Sequence, residues 1–423
     1  MPISSTETQA PLRNWAGNVT FGARAVHRPT SVAELPEIVR KAERVKALGS
    51  GHCFNAIADT DGDLVVMRGL DRVIDIDRAA NTVTVEGGIT YGTLGPILEA
   101  SGFTLGNFAS LPHISVAGAI VTATHGSGNA NQNLASAVAA LTLVTASGDL
   151  LHLKRGDADF DGAVVNLGAL GLISDITLDL KPSFAVRQRV YDDLPFTVLA
   201  ANFEAISSAA YSVSGFTNWH GDSVQQVWLK SLQSAAPPPA DLFSARAATR
   251  AWHPIATLDP AGVTEQMDVP GPAWERLPHF RMAGIGGTGD ELQTEYFVPR
   301  KDAAAAILAV HAVRHHFSPL VMAGEIRTIA ADALWLSHNY QQDSIAFHFT
   351  WQNNWPAVRA ALPAIEAALS PFHPRPHWGK LFTLPRDTVQ ASYPRFADFR
   401  ALAKQLDPKG KFSNRFVDEH VLR

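Results

Sequence analysis

Nine residues, Ala47-Leu48-Gly49-Ser50-Gly51-His52-Cys53-Phe54-Asn55, constrain this chain more than any other stretch. The run Arg44 to Leu48 leads into two glycines that flank a serine, and a histidine follows at once. Glycine adopts positive φ and lets backbone N–H groups approach a ligand that a side chain would hold off. Successive N–H groups in such a turn form a concave site suited to a pyrophosphate, with the histidine at its edge. The same nine residues also suit an ordinary strand-to-turn connection ending in a surface histidine.

The chain has 423 residues, enough for two or more domains and a large core. Hydrophobic residues make up 46% and charged ones 18%, the balance of a globular chain rather than a disordered one. Lys plus Arg number 35 against 40 Asp plus Glu, and no block of like charge interrupts that net −5. The basic stripe of a nucleic-acid-binding protein is missing. Met1 to Gly17 is polar, without the arginine pair and apolar run of an export signal, and no apolar segment is long enough to span a membrane. One cysteine, Cys53, excludes an intramolecular disulfide framework and fits a reducing compartment, so the expected location is the cytoplasm.

Along the chain, Val32 to Lys46 has helical spacing with Ser31 as N-cap. Strand-like runs follow at Leu64–Met67, Val73–Ile76 and Thr82–Val85, then a helix over Tyr91–Ala100 with Gly102 as its stop. Asn107 to Asn133 is dense in Gly, Ala, Ser, Thr and Asn, and reads as a second ligand-cradling loop with too little bulk for a core helix. Strands resume at Leu141–Val144, Leu151–Leu153 and Leu172–Leu178, and Pro182 closes the region. Beyond Val186 the character shifts to a broader sheet, with Val227–Leu229 and Leu292–Phe297 as strands and Asp302–Phe317 as an amphipathic helix. Ser234–Pro239 reads as a surface loop. The expected class is α+β.

Four segments carry chemistry: the opening one; Ala109-Ser110-Leu111-Pro112-His113-Ile114-Ser115 running on to Thr124-His125-Gly126-Ser127-Gly128; Glu325-Ile326-Arg327; and His377-Trp378-Gly379-Lys380. Singly each is ordinary. A Glu-x-Arg on a strand puts both charges on one face, usually as a surface pair. In this order, and with Asn14-Trp15-Ala16-Gly17-Asn18 before them and Asp407-Pro408-Lys409-Gly410-Lys411-Phe412 after them, they resemble the vanillyl-alcohol-oxidase-type FAD flavoproteins, and within these the bacterial alditol oxidases.

That resemblance implies a two-subdomain FAD-binding domain over 1–185, a substrate-binding cap with an antiparallel sheet and flanking helices over 186–375, and a C-terminal segment, 376–423, that completes the FAD site. It implies FAD as cofactor, no metal, a small polyol and O2 as partners, and a monomer. His52 matches the residue bonded to the flavin 8α carbon. Ala47, Leu48, Gly49, Ser50, Gly51 and Cys53 match the backbone that holds pyrophosphate and ring edge. Ser110, Ser115, Gly118, Thr122, Ala123, Thr124, His125, Ile173 and His377 match further flavin-lining positions, and Ala109 a small residue beside the reacting edge. A second covalent link is not expected, since alternation along an extended loop points Cys53 away from the target of His52. His113 reads as a buried structural histidine bonding a loop carbonyl.

Arg327 and Lys380 match residues that bind the reacting hydroxyl, where two cations stabilise a developing alkoxide. Glu325 and Ser110 would bind the next hydroxyls, with Glu325 also offsetting the repulsion between Arg327 and Lys380. His348 and Thr350 fit more distant hydroxyls, or form a plain sheet-face pair. Asn129, where a relative carries an apolar residue, would alter the preferred polyol length. The implied reaction is oxidation of the terminal primary alcohol of an alditol such as xylitol or sorbitol to the aldose, with O2 reduced to H2O2. The alternatives are a sugar-1,4-lactone oxidase or dehydrogenase of the same family, and a flavin-free sugar-binding protein on the same scaffold.

Overall fold

The structure, a computed structural model, describes residues 11–284 and 289–422. The first ten residues of the polar stretch Met1–Gly17, on which an export signal would lie, fall outside the described residues. No helix among the described residues is long and apolar enough to cross a membrane.

Two small sheets build the N-terminal part. Strands Ala25–His27, Val45–Leu48 and Asp63–Val66 pair in parallel, with Asp63–Val66 in the centre. The crossover between the first two carries the helix Leu35–Lys41, whose start is set by a capping box between Ser31 and Glu34. The helix expected as far as Lys46 ends at Lys41, because the chain must turn to pair. Val45 donates its N–H to Lys411 O at 2.9 Å, and Val45 to Leu48 lie against the central strand. The second sheet is antiparallel, in the order Val73–Asp77, Thr82–Glu86, Leu172–Asp179, Val138–Val144, Leu150–Lys154.

Tyr91–Ala100 is helical, with Thr90 as its cap and Gly102 at φ 81 just beyond it. The segment read as wholly loop contains a short helix, Val116–Val121. Its small residues do not fail to fill a core. They let its backbone lie close under Gly49 and Ser50, which bulkier side chains would push away.

The remaining chain forms a ten-stranded sheet, antiparallel at every pairing. Its centre runs Ala185–Pro195, Ser223–Leu232, Ser212–Thr217, Val321–Ile329, Ser344–Gln352 and Glu291–Pro299, with the short Arg375–Pro376 at one edge. Alternation divides its faces. On Ser344–Gln352, Phe347, Phe349 and Trp351 are fully buried and join one core with Ile307, Val310, Val358 and Leu362 from the helices Ala303–Ala312 and Trp355–Leu369, and with Phe317 beyond the first of them. The helix expected over Asp302–Phe317 stops at Ala312 and continues as two single turns, the second holding Pro319. His348 and Thr350 point the other way, into a cleft shared with the N-terminal part.

Candidate active site

One wall of that cleft is the opening segment. Ala47 to Asn55 all border it. Gly51 sits at φ 75, a left-handed conformation that glycine adopts without strain. Gly49 packs against Ser115 so closely that an added Cβ would meet its Oγ at 2.2 Å. Ser50 and Ser115 lock the two walls by reciprocal bonds, Ser50 N–H to Ser115 Oγ at 3.3 Å and Ser115 N–H to Ser50 Oγ at 3.1 Å. His52 stacks on Trp15 with ring centroids 5.4 Å apart. Burial, helped by nearby His113, pushes its pKa down to about 4, so the ring is neutral. Its Nδ1 is buried without a hydrogen-bond partner among the described residues. A backbone cradle of this kind and an unpartnered imidazole nitrogen suit a dinucleotide cofactor with a ring edge at His52. Lys46 borders the cleft from below, and its fully buried ammonium donates to Gly168 O at 3.0 Å and Phe412 O at 3.1 Å.

The opposite wall is the polar face of the large sheet, and register assembles it. Glu325 pairs with His348 across one strand boundary, and His348 with Glu295 across the next. Gln293, Thr350 and Ala323 form the neighbouring row. Arg327 lies two residues beyond Glu325 on the same face, and Lys380 arrives from the C-terminal segment. Glu295 Oε2 accepts from Lys380 Nζ at 2.7 Å and Oε1 from Arg327 Nη2 at 3.1 Å. Arg327 also donates to Ser110 Oγ at 3.1 Å, which ties the sheet to the loop leading to Ser115. Glu325 accepts from His279 Nε2 at 2.8 Å and stands 3.4 Å from Arg327. Behind His279, the buried Lys230 donates to its Nδ1 at 3.1 Å and to two carbonyls. That contact sets the tautomer, because Nδ1 must accept and Nε2 then carries the hydrogen given to Glu325.

The electrostatics follow from burial. Burial opposes ionisation of Glu295, but the Lys380 and Arg327 cations beside it hold it well below the usual carboxylate range. Glu325 is lowered in the same way, burial being overcome by Arg327 and His279. Burial lowers the pKa of Lys380, with Glu295 opposing. His348 is pushed down to about 3 and His279 to about 4, chiefly by burial. Glu295 and Glu325 therefore face Arg327 and Lys380, with Lys230, whose pKa burial lowers, behind them. His125, Glu295 and His377 place ligand atoms within 4.8 Å of one another, but both oxygens of Glu295 already face cations, which opposes a metal ion there.

The sequence-derived residues converge on this cleft. Ala47 to Cys53, Ser110, Ser115, Gly118, Thr122, Thr124, His125, Ile173, His377, Glu325, Arg327, His348, Thr350 and Lys380 all border it. Ala123 lies buried beside it at φ 52. Three expectations change. Glu295, not Glu325, stands between Arg327 and Lys380, since strand register brings it there. Cys53 borders the cleft and packs against the hydrophobic core, and burial pushes its thiol up to about 12. Asn129 bonds Ser208 Oγ at 2.8 Å and Ser207 Oγ at 3.2 Å, away from the cleft lining, so it does not reach a polyol there. His113 bonds the Met282 carbonyl at 3.0 Å but is only half-buried. Glu295, His279 and Lys230 carried no motif. The one signal was an acid within the strand-like run Leu292 to Phe297.

A family model described as FAD binding domain matches residues 23–154, and one described as D-arabinono-1,4-lactone oxidase matches residues 290–420. An alditol oxidase of a Streptomyces species is 46% identical over 409 residues, covering 96% of this chain and 98% of that one. An L-gulono-1,4-lactone dehydrogenase of Mycobacterium tuberculosis is 32% identical over 453 residues, covering 96% and 97%. Among solved structures, cholesterol oxidase from B. sterolicum superposes with a TM-score of 0.79 over 97% of this chain and 96% of that one, a likeness of fold at 15% identity. With a glycine-rich backbone cradle at one wall and these relatives matched over 96% of its length, the chain belongs to the vanillyl-alcohol-oxidase-type FAD flavoproteins.

Proposed function

We propose that the protein oxidises the terminal primary alcohol of alditols such as xylitol and sorbitol to the aldose, as an FAD-dependent oxidase. The observation that carries this is the pair of cations, Arg327 and Lys380, held on one buried carboxylate beside Ser110. Bound FAD supplies the redox chemistry, accepting hydride from the alcohol carbon and passing the electrons to O2 to give H2O2. Arg327 and Lys380 bind the reacting hydroxyl and stabilise its alkoxide in a site that excludes water. Because Glu295 neutralises part of their charge, both can stay ionised side by side. Glu325, with its remaining lone pairs, and Ser110 accept or donate to the next hydroxyls and fix which carbon reacts. Thr350 and the neutral His348 serve hydroxyls farther along the chain. Ala47 to Cys53 and the walls at Ser115 and Gly118 hold the dinucleotide, and His52 Nδ1, neutral and unpartnered, is the atom that bonds the flavin.

We divide the chain accordingly into an FAD-binding part over 1–185 completed by 376–423, and a substrate-binding part over 186–375. The working protein is taken as a cytoplasmic monomer. The second reading, oxidation of a sugar-1,4-lactone, is favoured by the match of residues 290–420 to the lactone-oxidase model. A panel of polyols and aldonolactones with peroxide detection separates them. Peroxide from xylitol or sorbitol is expected, and peroxide from lactones alone would overturn the alditol assignment.

A further inference from the structure

Glu295 stands in more proton chemistry than ion pairing requires. Besides Lys380 and Arg327, His125 Nε2 lies 3.3 Å from Oε1, and both side chains are buried. The other ring nitrogen of His125 faces the Gly126 carbonyl at 2.9 Å. A carbonyl only accepts, so Nδ1 carries the hydrogen. Nε2 of the neutral ring then turns a lone pair toward a carboxylate oxygen, and no hydrogen bond satisfies it among the described residues. One proton between these atoms converts the opposition into a charge-assisted hydrogen bond. The gap takes one proton and no more.

We propose that His125 and Glu295 form the proton acceptor of the alcohol oxidation, taking the substrate's hydroxyl proton through Lys380. The proposal rests on the alcohol-oxidising reading above. Lys380 passes one of its protons to Glu295 Oε2, and the lone pair this frees takes the hydroxyl proton as the O–H breaks, so Lys380 ends as an ammonium. A half-turn of the carboxyl group brings that proton to His125 Nε2. The carbon-bound hydrogen leaves with its electron pair, and loss of the two yields the aldehyde. The pair gains one proton per oxidised alcohol and returns it when O2 is reduced to H2O2.

The other groups facing the pair are already committed. His377 Nδ1 accepts from Gly379 N–H at 3.0 Å. His338 Nε2 donates to Thr122 O at 3.2 Å, and its Nδ1 faces the Tyr393 hydroxyl. Glu325 is held by His279 and Arg327, and His348 by Gln293 Oε1 at 3.1 Å. Burial and Arg327 lower the pKa of His125, against Glu295, so the pair lacks the proton at neutral pH.

Two measurements on the FAD-loaded protein test this. Nitrogen-15 NMR of labelled histidine, assigned with His125→Gln, should find His125 with hydrogen on Nδ1 and a bare Nε2 at pH 7–8. A hydrogen on Nε2 at that pH would overturn the proposal. In anaerobic stopped flow with xylitol, His125→Gln and Glu295→Gln should load FAD but slow flavin reduction by about 100-fold, with the wild-type ionisation gone from the pH profile. Wild-type reduction rates and an unchanged profile in both variants would equally overturn it. A wild-type flavin that no polyol reduces would defeat the substrate reading instead, and the NMR measurement would then decide the proton site alone.

Discussion

A methyl group at Gly49 would lie 2.2 Å from Ser115 Oγ, and Ser115 heads the helix Val116–Val121 that floors the cleft. Gly49→Ala should therefore displace that helix and cost about 1–3 kcal/mol, as overpacking does. The expected result is a nearly colourless protein by its flavin-to-protein absorbance ratio; full flavin content would show that the two walls can separate. At His52 the neutral ring and its bare Nδ1 lead to a sharper outcome. Acid precipitation of the wild type should leave yellow colour in the pellet, and His52→Ala should release it to the supernatant. Colour in the wild-type supernatant would exclude the covalent link. Residues such as His52, Arg327 and Lys380 were legible because each sits in a short segment whose neighbours mark it. Glu295 had no such neighbours. Its part in the site comes from lying opposite His348 and below Lys380, and neither relation is local in sequence.

Among the elements, alternation along strands was readable, and so was the helix Tyr91–Ala100 with its cap and stop. What pattern alone missed were places where a tertiary partner overrides local preference. The helix after Ser31 ends early because Val45 to Leu48 are claimed by a strand and by Lys411. The helix Val116–Val121 was missed because its small residues serve close backbone approach rather than bulk. The C-terminal segment is the element most dependent on such contacts. Asn414 Nδ2 lies within 3.0 Å of the carbonyls of Ala56, Ile57 and Asp59, while its Oδ1 caps Val417 N–H. Asn414→Ala removes the side-chain donor from the carbonyls of Ile57 and Asp59 and the cap from Val417 N–H, and should cost about 2–4 kcal/mol in urea unfolding. A loss below about 0.5 kcal/mol would mean that water replaces the side chain without cost.

Across the whole molecule, many histidines are kept neutral by burial. His52 and His279 are lowered to about 4, His338 and His348 to about 3, and His125 and His377 in the same direction. In the unfolded chain they titrate near 6.5. The unfolded state therefore binds more protons below that pH, and stability falls as pH drops from about 6.5 toward the folded values. The lowered Glu295 and Glu325 add to the loss once pH passes below about 4.3, where unfolded carboxylates protonate. Thermal unfolding at constant ionic strength should show Tm level from pH 8 to 7 and lower by about 10 °C or more at pH 4.5. A flat Tm across that range would mean that these rings are charged in the fold. By itself the sequence determined the cofactor and the α+β class, and it singled out the two cations that meet in the cleft. These follow from segments in which glycine, histidine, arginine or lysine must stand at set spacing. Only the tertiary structure decided how the buried charges are paired. Pairing depends on register between strands and loops distant in the chain, and burial then fixes which groups hold a proton. His125, Glu295 and Lys380 meet on three such segments, and no spacing rule joins them.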